Sequence, residues 1–333
     1  MGPKEIKRAV AYLTAQKVPL FIWGPPGIGK SSAVRDVARE RGVGFIDLRL
    51  TLLDPTDLRG IPFFDGQKGR AVWAPPVFLP HEEESEGILF LDELNSAPPA
   101  VQAGAYQLIL DRRIGEYRLP DGWAVVAAGN REGDRGVVYR MPTPLANRFV
   151  HLQMEPDSAQ WREWALDRGV DETIVGFLQA RPDALFLFDP TAERHSFATP
   201  RSWEYVDTIL KSSPDPDLLM PLIAGAVGEE LAAEFLSWRT AVGALPNIEA
   251  VLRGEEADVP ESPNALYVLA SLLVKRVDRS TPSEALEHLL EYLLRLPPEF
   301  SVSVVKGLQH KGVSLERCEG FKRWIRAFAH LLA

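Results

Sequence analysis

The stretch FIWGPPGIGKSS, residues 21–32, runs apolar residues straight into a glycine- and proline-rich turn that ends in Lys-Ser. It fits the pattern G-x-x-x-x-G-K-[ST], with Gly24, Gly29, Lys30 and Ser31 in the fixed places. The apolar residues before it predict a strand, and KSSAVRDVARERG after it predicts a helix. A strand, a glycine-rich loop and a helix N-terminus in that order make a phosphate cradle. Backbone N–H groups of Gly24, Gly27, Ile28 and Gly29 are expected to wrap phosphate oxygens, Pro25 and Pro26 to shape the curve of the loop, and the helix end to add partial positive charge. Lys30 is expected to reach the β- and γ-phosphates, Ser31 to offer a hydroxyl to Mg²⁺, and Ser32 to complete the nucleotide contact.

Working outward, residues from Lys4 to about Pro156 alternate short apolar runs (PLFIWG, FIDLRL, GILFLDEL, WAVVAAGN, FVHLQM) with helical stretches. This alternation predicts an α/β fold, a largely parallel sheet with helices on both faces. Two hairpins are expected to interrupt it. IPFFDGQKGRAVWA would turn at Asp-Gly, and GEYRLPDGWAVVAAGN at Pro-Asp-Gly. Beyond Pro156 the patterns are helical, including one long run, DLLMPLIAGAVGEELAAEFLSWRTAV. LRGEEADVPESPN reads as a linker before four further helical patterns. The expected organisation is a nucleotide-binding core over 1–155 with hairpins at about 54–80 and 114–126, an all-α lid over 156–254, and a helical extension over 255–333.

GILFLDEL ends a continuously apolar strand in two acids, Asp92 and Glu93. Ligands of a parallel sheet gather at the carboxyl ends of its strands, so Asp92 is placed to hold Mg²⁺ through water and Glu93 to orient an attacking water. No Asn-Lys-x-Asp guanine-reading motif follows, so adenine is the expected base and ATP the expected nucleotide.

The bulk numbers narrow the class. The chain has 333 residues, 46% hydrophobic and 25% charged, enough for two or three domains. With 37 basic against 46 acidic residues the formal charge is −9, which disfavours nonspecific nucleic-acid binding. No apolar run is long enough for a membrane span, and the N-terminal stretch MGPKEIKRAVAYLTAQ lacks the apolar segment of a secretory signal, so a cytoplasmic protein without membrane insertion is expected. A single cysteine, Cys318, reads as a half-buried helix residue, and six scattered histidines without an i, i+4 pair predict no zinc site.

With these motifs in place, the spacing resembles AAA+ ATPases, and the detail resembles their MoxR branch over residues 15–250. LDELNSAPPAVQAGAYQLILDRRIGEY is similar to that branch's passage from acid pair into helix and hairpin, and DPTDLRGIPFF to its insertion in the second helix. The resemblance implies roles residue by residue. Asn130, ending VVAAGN, matches sensor 1, which aligns the water with Glu93. Arg148 in TPLANRF matches the arginine finger reaching a neighbouring subunit, with Asn147 where the family usually has aspartate. Arg201 in ATPRSW matches sensor 2, acting in cis from the lid. Arg135 and Arg140 are further candidates for the intersubunit contact.

The resemblance also implies a homo-oligomeric ring, a hexamer, working as a chaperone or remodelling ATPase with a partner carrying a von Willebrand factor A domain. Two other readings stay open: a motor or regulator acting on nucleic acid, and a nucleotide-gated scaffold without turnover. The two hairpins, as regions, are expected to meet a client: the first offers Phe63, Phe64 and Trp73 and the second Tyr117 and Arg118, with packing of any one aromatic against its own hairpin or the core as the other reading.

Overall fold

The computed structural model describes residues 1–67, 69–131, 133–134, 139, 141–192, 195–243 and 245–328, so Arg135 and Arg140 lie outside the described residues. Contacts divide the chain into two compact units, Met1–Glu229 and Glu230–Ala333.

The first unit opens with α1 (Pro3–Ala15), β1 (Leu20–Trp23), α2 (Lys30–Arg41) and β2 (Gly44–Arg49). It continues with α3 (Pro55–Arg59), β3 (Ile61–Asp65), β4 (Arg70–Ala74), β5 (Gly87–Asp92) and α4 (Pro99–Asp111). Then come β6 (Arg113–Ile114), β7 (Tyr117–Arg118), β8 (Trp123–Gly129), α5 (Thr143–Ala146) and β9 (Val150–Gln153). Four helices follow: α6 (Ser158–Asp167), α7 (Glu172–Ala180), α8 (Pro200–Ser212) and α9 (Pro216–Val227).

Five strands form one sheet in the order β2-β5-β8-β1-β9, every neighbouring pair parallel. Alternate residues feed opposite faces. Leu20, Ile22, Ile88, Phe90, Val126 and Ala128 join Val10 of α1 and Val34 and Val37 of α2 in one apolar layer. Phe21, Leu89, Leu91, Val125 and Ala127 join Val101, Ala105 and Leu108 of α4 in the other. Burial on both faces is why these strands read as unbroken apolar runs.

The hairpin expected at Asp-Gly forms: β3 and β4 pair antiparallel, Ile61 opposite Ala74 and Asp65 opposite Arg70. The second hairpin differs from its expectation. It turns at Gly115–Glu116, where β6 pairs with β7, and not at Pro120-Asp121-Gly122. WAVVAAG is buried along its whole length and enters the central sheet as β8 between β5 and β1. Each large apolar side chain buried there is worth about 1.5–3 kcal/mol, more than a short exposed hairpin can return.

The second unit contains α10 (Glu229–Gly243), α11 (Ile248–Leu252), α12 (Pro263–Arg276), α13 (Ser283–Leu293), α14 (Pro298–His310) and α15 (Glu319–Phe328). The long helical run expected over 217–242 is split between α9 and α10 by Gly228, whose φ of 96° suits glycine and ends a helix. Val251 and Ala257 share one core with Leu269, Leu290, Val304 and Trp324, so the segment around the expected boundary at 255 belongs to the packing of this unit. Cys318 is buried in that core, between a 3₁₀ turn and α15, deeper than the half-buried helix position expected for it. Among the described residues, no helix is long and apolar enough to cross a membrane.

Candidate functional site

The loop between β1 and α2 folds because its glycines take conformations closed to other residues. Gly27 and Gly29 have φ of 75° and 93°, and Gly29 caps α2 in the left-handed region. The loop therefore ends with the helix N-terminus pointing at the turn. Ser31 lies half-buried in the first turn of α2, and Ser32 is exposed beside it.

Lys30 is folded back over the loop. Its Nζ donates to the carbonyls of Gly24 at 2.6 Å and Pro25 at 2.9 Å, and to Asn130 Oδ1 at 3.2 Å. Burial pulls its pKa down to about 8, against the opposing charges of Asp92 and Asp134. Asp92 shows the converse. Burial pushes its carboxyl above the usual range, and the Lys30 ammonium works the other way.

Asp92 ends β5, and Asn130 follows the last residue of β8, the neighbouring strand. Glu93 stands in the left-handed region at φ 57°, a cost of about 1–3 kcal/mol for a residue with a Cβ. Its amide donates to Asp92 Oδ1 at 3.0 Å, and its carbonyl accepts from the amides of Ser96 at 2.9 Å and Ala97 at 3.1 Å. The chain thus reverses at the acid pair, leaving both carboxylates at the strand's end.

The Glu93 carboxylate is engaged: Thr51 Oγ1 donates to Glu93 Oε2 at 2.6 Å. Thr51 was not legible from sequence, because only the adjacency of β2 and β5 brings it to the acid pair. Asn95 is a second residue that sequence reasoning passed over. It is 1% exposed, and its Nδ2 donates to the Asn130 carbonyl at 2.8 Å. An amide immediately after apolar Leu94 was the available signal.

Arg201 sits in the first turn of α8, capped by Thr199, and its backbone N–H donates to the Gly27 carbonyl at 3.2 Å. Helix α8 and the glycine-rich loop are thereby in direct contact. Arg148 enters none of these bonds. It is exposed after α5, and among the described residues its guanidinium bonds only the Pro144 carbonyl, at 3.4 Å.

Beside the loop lies a cavity of about 480 Å³, lined by Ile28, Gly29, Ser32, Trp161, Trp164 and Glu204 among others. The two tryptophan rings lie 6.0 Å apart between centroids, a broad apolar wall next to the helix N-terminus.

For Mg²⁺, the candidate donors are a serine hydroxyl at the start of α2 and a carboxylate electrostatically close to Lys30, both hard oxygens of the kind the ion takes. Among the described residues no cluster of three or more His, Cys, Asp or Glu could hold a metal. Two protein oxygens suit an ion whose remaining ligands are water and phosphate.

Comparison with known proteins bears on residues 20–154, which match the family described as "ATPase family associated with various cellular activities (AAA)". Residues 20–154 are an AAA-family domain. The match covers the sheet with its loop, acid pair and Asn130, and stops before α6. Structural likenesses extend further along the chain but are weak. NtrX of Brucella abortus in complex with ADP is 16% identical, covers 98% of this chain and 68% of its own, and has a TM-score of 0.41. A P216G mutant of RuvB from Thermotoga maritima is 19% identical over 88% of this chain and 89% of its own, with a TM-score of 0.39. A protein of Cytophaga hutchinsonii is 17% identical over 92% and 81%, with a TM-score of 0.38. The AAA domain therefore rests on the family match and on the site itself.

Proposed function

We propose that the AAA domain hydrolyses ATP, and that the protein works as a MoxR-type ring, a hexamer, remodelling a partner protein complex together with a von Willebrand factor A domain protein. The observation that carries the reading is the meeting of Lys30, Asp92, Glu93 and Asn130 at the carboxyl ends of adjacent strands, with the first turn of α8 bonded to the phosphate loop.

In this reading the loop N–H groups take the phosphates, and the adenine base lies in the cavity walled by Trp161 and Trp164. Lys30 leaves the Gly24 and Pro25 carbonyls for the β- and γ-phosphate oxygens. Ser31, and Asp92 through water, would hold Mg²⁺, which would supply charge neutralisation at the transferring phosphate. Glu93 gives up its bond from Thr51 to orient the attacking water, and Asn130 fixes that water from the other side. Arg201 in cis and Arg148 from a neighbouring protomer stabilise the charge on the γ-phosphate. The exposure of Arg148 and the absence of any carboxylate partner among the described residues suit a side chain that completes another subunit's site.

A protein client is favoured by the first hairpin, where Ile61 is 72% exposed, Phe63 51% and Phe64 72%, on a chain of net charge −9. Turnover measured with a Glu93→Gln variant tests the activity. Nucleotide binding should persist while hydrolysis falls by roughly a hundredfold or more; hydrolysis within twofold of the unchanged protein would overturn it.

A further inference from the structure

Asn95 follows the acid pair by two residues and is buried to 1% exposure, yet it is polar on both sides of its amide. Its side-chain N–H₂ donates to the Asn130 carbonyl at 2.8 Å, and its own backbone carbonyl accepts from the Tyr139 amide at 2.7 Å. The residue thus grips the segment leaving β8 at position 130 and again at position 139. Asn130 in turn accepts from Lys30 at 3.2 Å. A chain of contacts runs from the acid-pair turn through Asn95 to Asn130 and the phosphate-loop lysine.

The seat is costly. Asn95 Oδ1 is buried and has no hydrogen-bond partner among the described residues, a loss of about 1–3 kcal/mol. It also demands glycine at the end of β8, since a Cβ on Gly129 would lie 2.1 Å from Asn95 Oδ1. A leucine-like side chain would fill the volume without an orphaned acceptor. Stability alone does not favour an amide here, whereas fixing the carbonyl of Asn130 does.

We propose that Asn95 is a positioning residue for ATP hydrolysis, holding Asn130 in register with Asp92 and Glu93 through its bond to the Asn130 carbonyl. The inference rests on the ATPase reading above. Buried to 1% exposure, Asn95 acts through Asn130, whose side-chain amide must stand within a fraction of an ångström of its working place.

The test is a double-mutant cycle on the full chain, reading kcat, KM for ATP and thermal stability for Asn95→Ala, Asn130→Ala and the pair. Asn95→Ala should lower kcat roughly 10–100-fold with KM within twofold. Once Asn130 is alanine, removing Asn95 should lower kcat no further. Multiplicative effects on kcat, or KM rising and stability falling with no separate loss of kcat, would overturn the inference while leaving the ATPase reading intact. Absence of turnover by the unchanged protein would sink that reading and this inference with it. Asn95→Asp keeps the side chain's shape and repeats the cycle should the alanine variant not fold.

Discussion

Two buried polar arrangements, one in each unit, behave oppositely. In the second unit Trp324 Nε1 donates to Ser301 Oγ at 2.8 Å, which donates to the Leu293 carbonyl at 2.7 Å, so the hydroxyl both accepts and donates within an apolar core. At the end of β5 in the first unit, Glu93 holds a left-handed backbone, Asn95 Oδ1 has no partner, and a lysine is buried on carbonyls that phosphates would replace. Around Ser301 and Trp324 the helical core closes on satisfied bonds; the end of β5 retains a left-handed residue and an unmet polar atom. Regions built for packing minimise such defects, and regions awaiting a ligand keep them.

That contrast can be broken in three ways. The largest effect is expected outside both regions, at Arg148. Arg148→Ala should retain nucleotide binding and lose turnover by on the order of 10³-fold or more, measured at saturating protein. Retained turnover would confine the site to one protomer. Next, Ser301→Ala strands the Trp324 N–H in an apolar core, and denaturant unfolding should show a loss of about 1–3 kcal/mol with nucleotide affinity unchanged. A change in affinity would mean the two arrangements are not separate in function.

The third effect is protonic. Free Lys30 titrates near 8, below the 10.5 of an exposed lysine, so its charged form is disfavoured in the folded protein and stability rises as pH climbs from about 8 towards 10.5. Phosphate reverses the preference by stabilising the charged form. Above pH 8, nucleotide binding should take up about one proton and weaken about tenfold per pH unit over that window. Calorimetry at pH 9 in buffers of different ionisation enthalpy measures the uptake, and a value of zero would mean that free Lys30 is already charged at pH 9 or that it stays outside the phosphate site.

Much of this was readable from the chain itself. The spacing from Gly24 to Ser31 predicted a glycine-rich turn running into a helix, and the folded chain has that turn, with Gly27 and Gly29 at positive φ and Gly29 capping α2. The unbroken apolar runs of β5 and β8 determined a parallel sheet covered on both faces. The second hairpin was misplaced, since Pro-Asp-Gly is a strong local turn signal whichever sheet its flanks join. Tertiary burial of WAVVAAG decided that question.

Residues separated along the chain met only in the folded protein. Thr51 reaches Glu93 because β2 lies beside β5, and Asn95 reaches Asn130 because β8 lies beside β5. Local sequence carries turn chemistry and hydrophobic period, which depend on near neighbours. Strand order and the pairing of side chains across it depend on which layers bury the most apolar surface, and that is settled by the molecule as a whole.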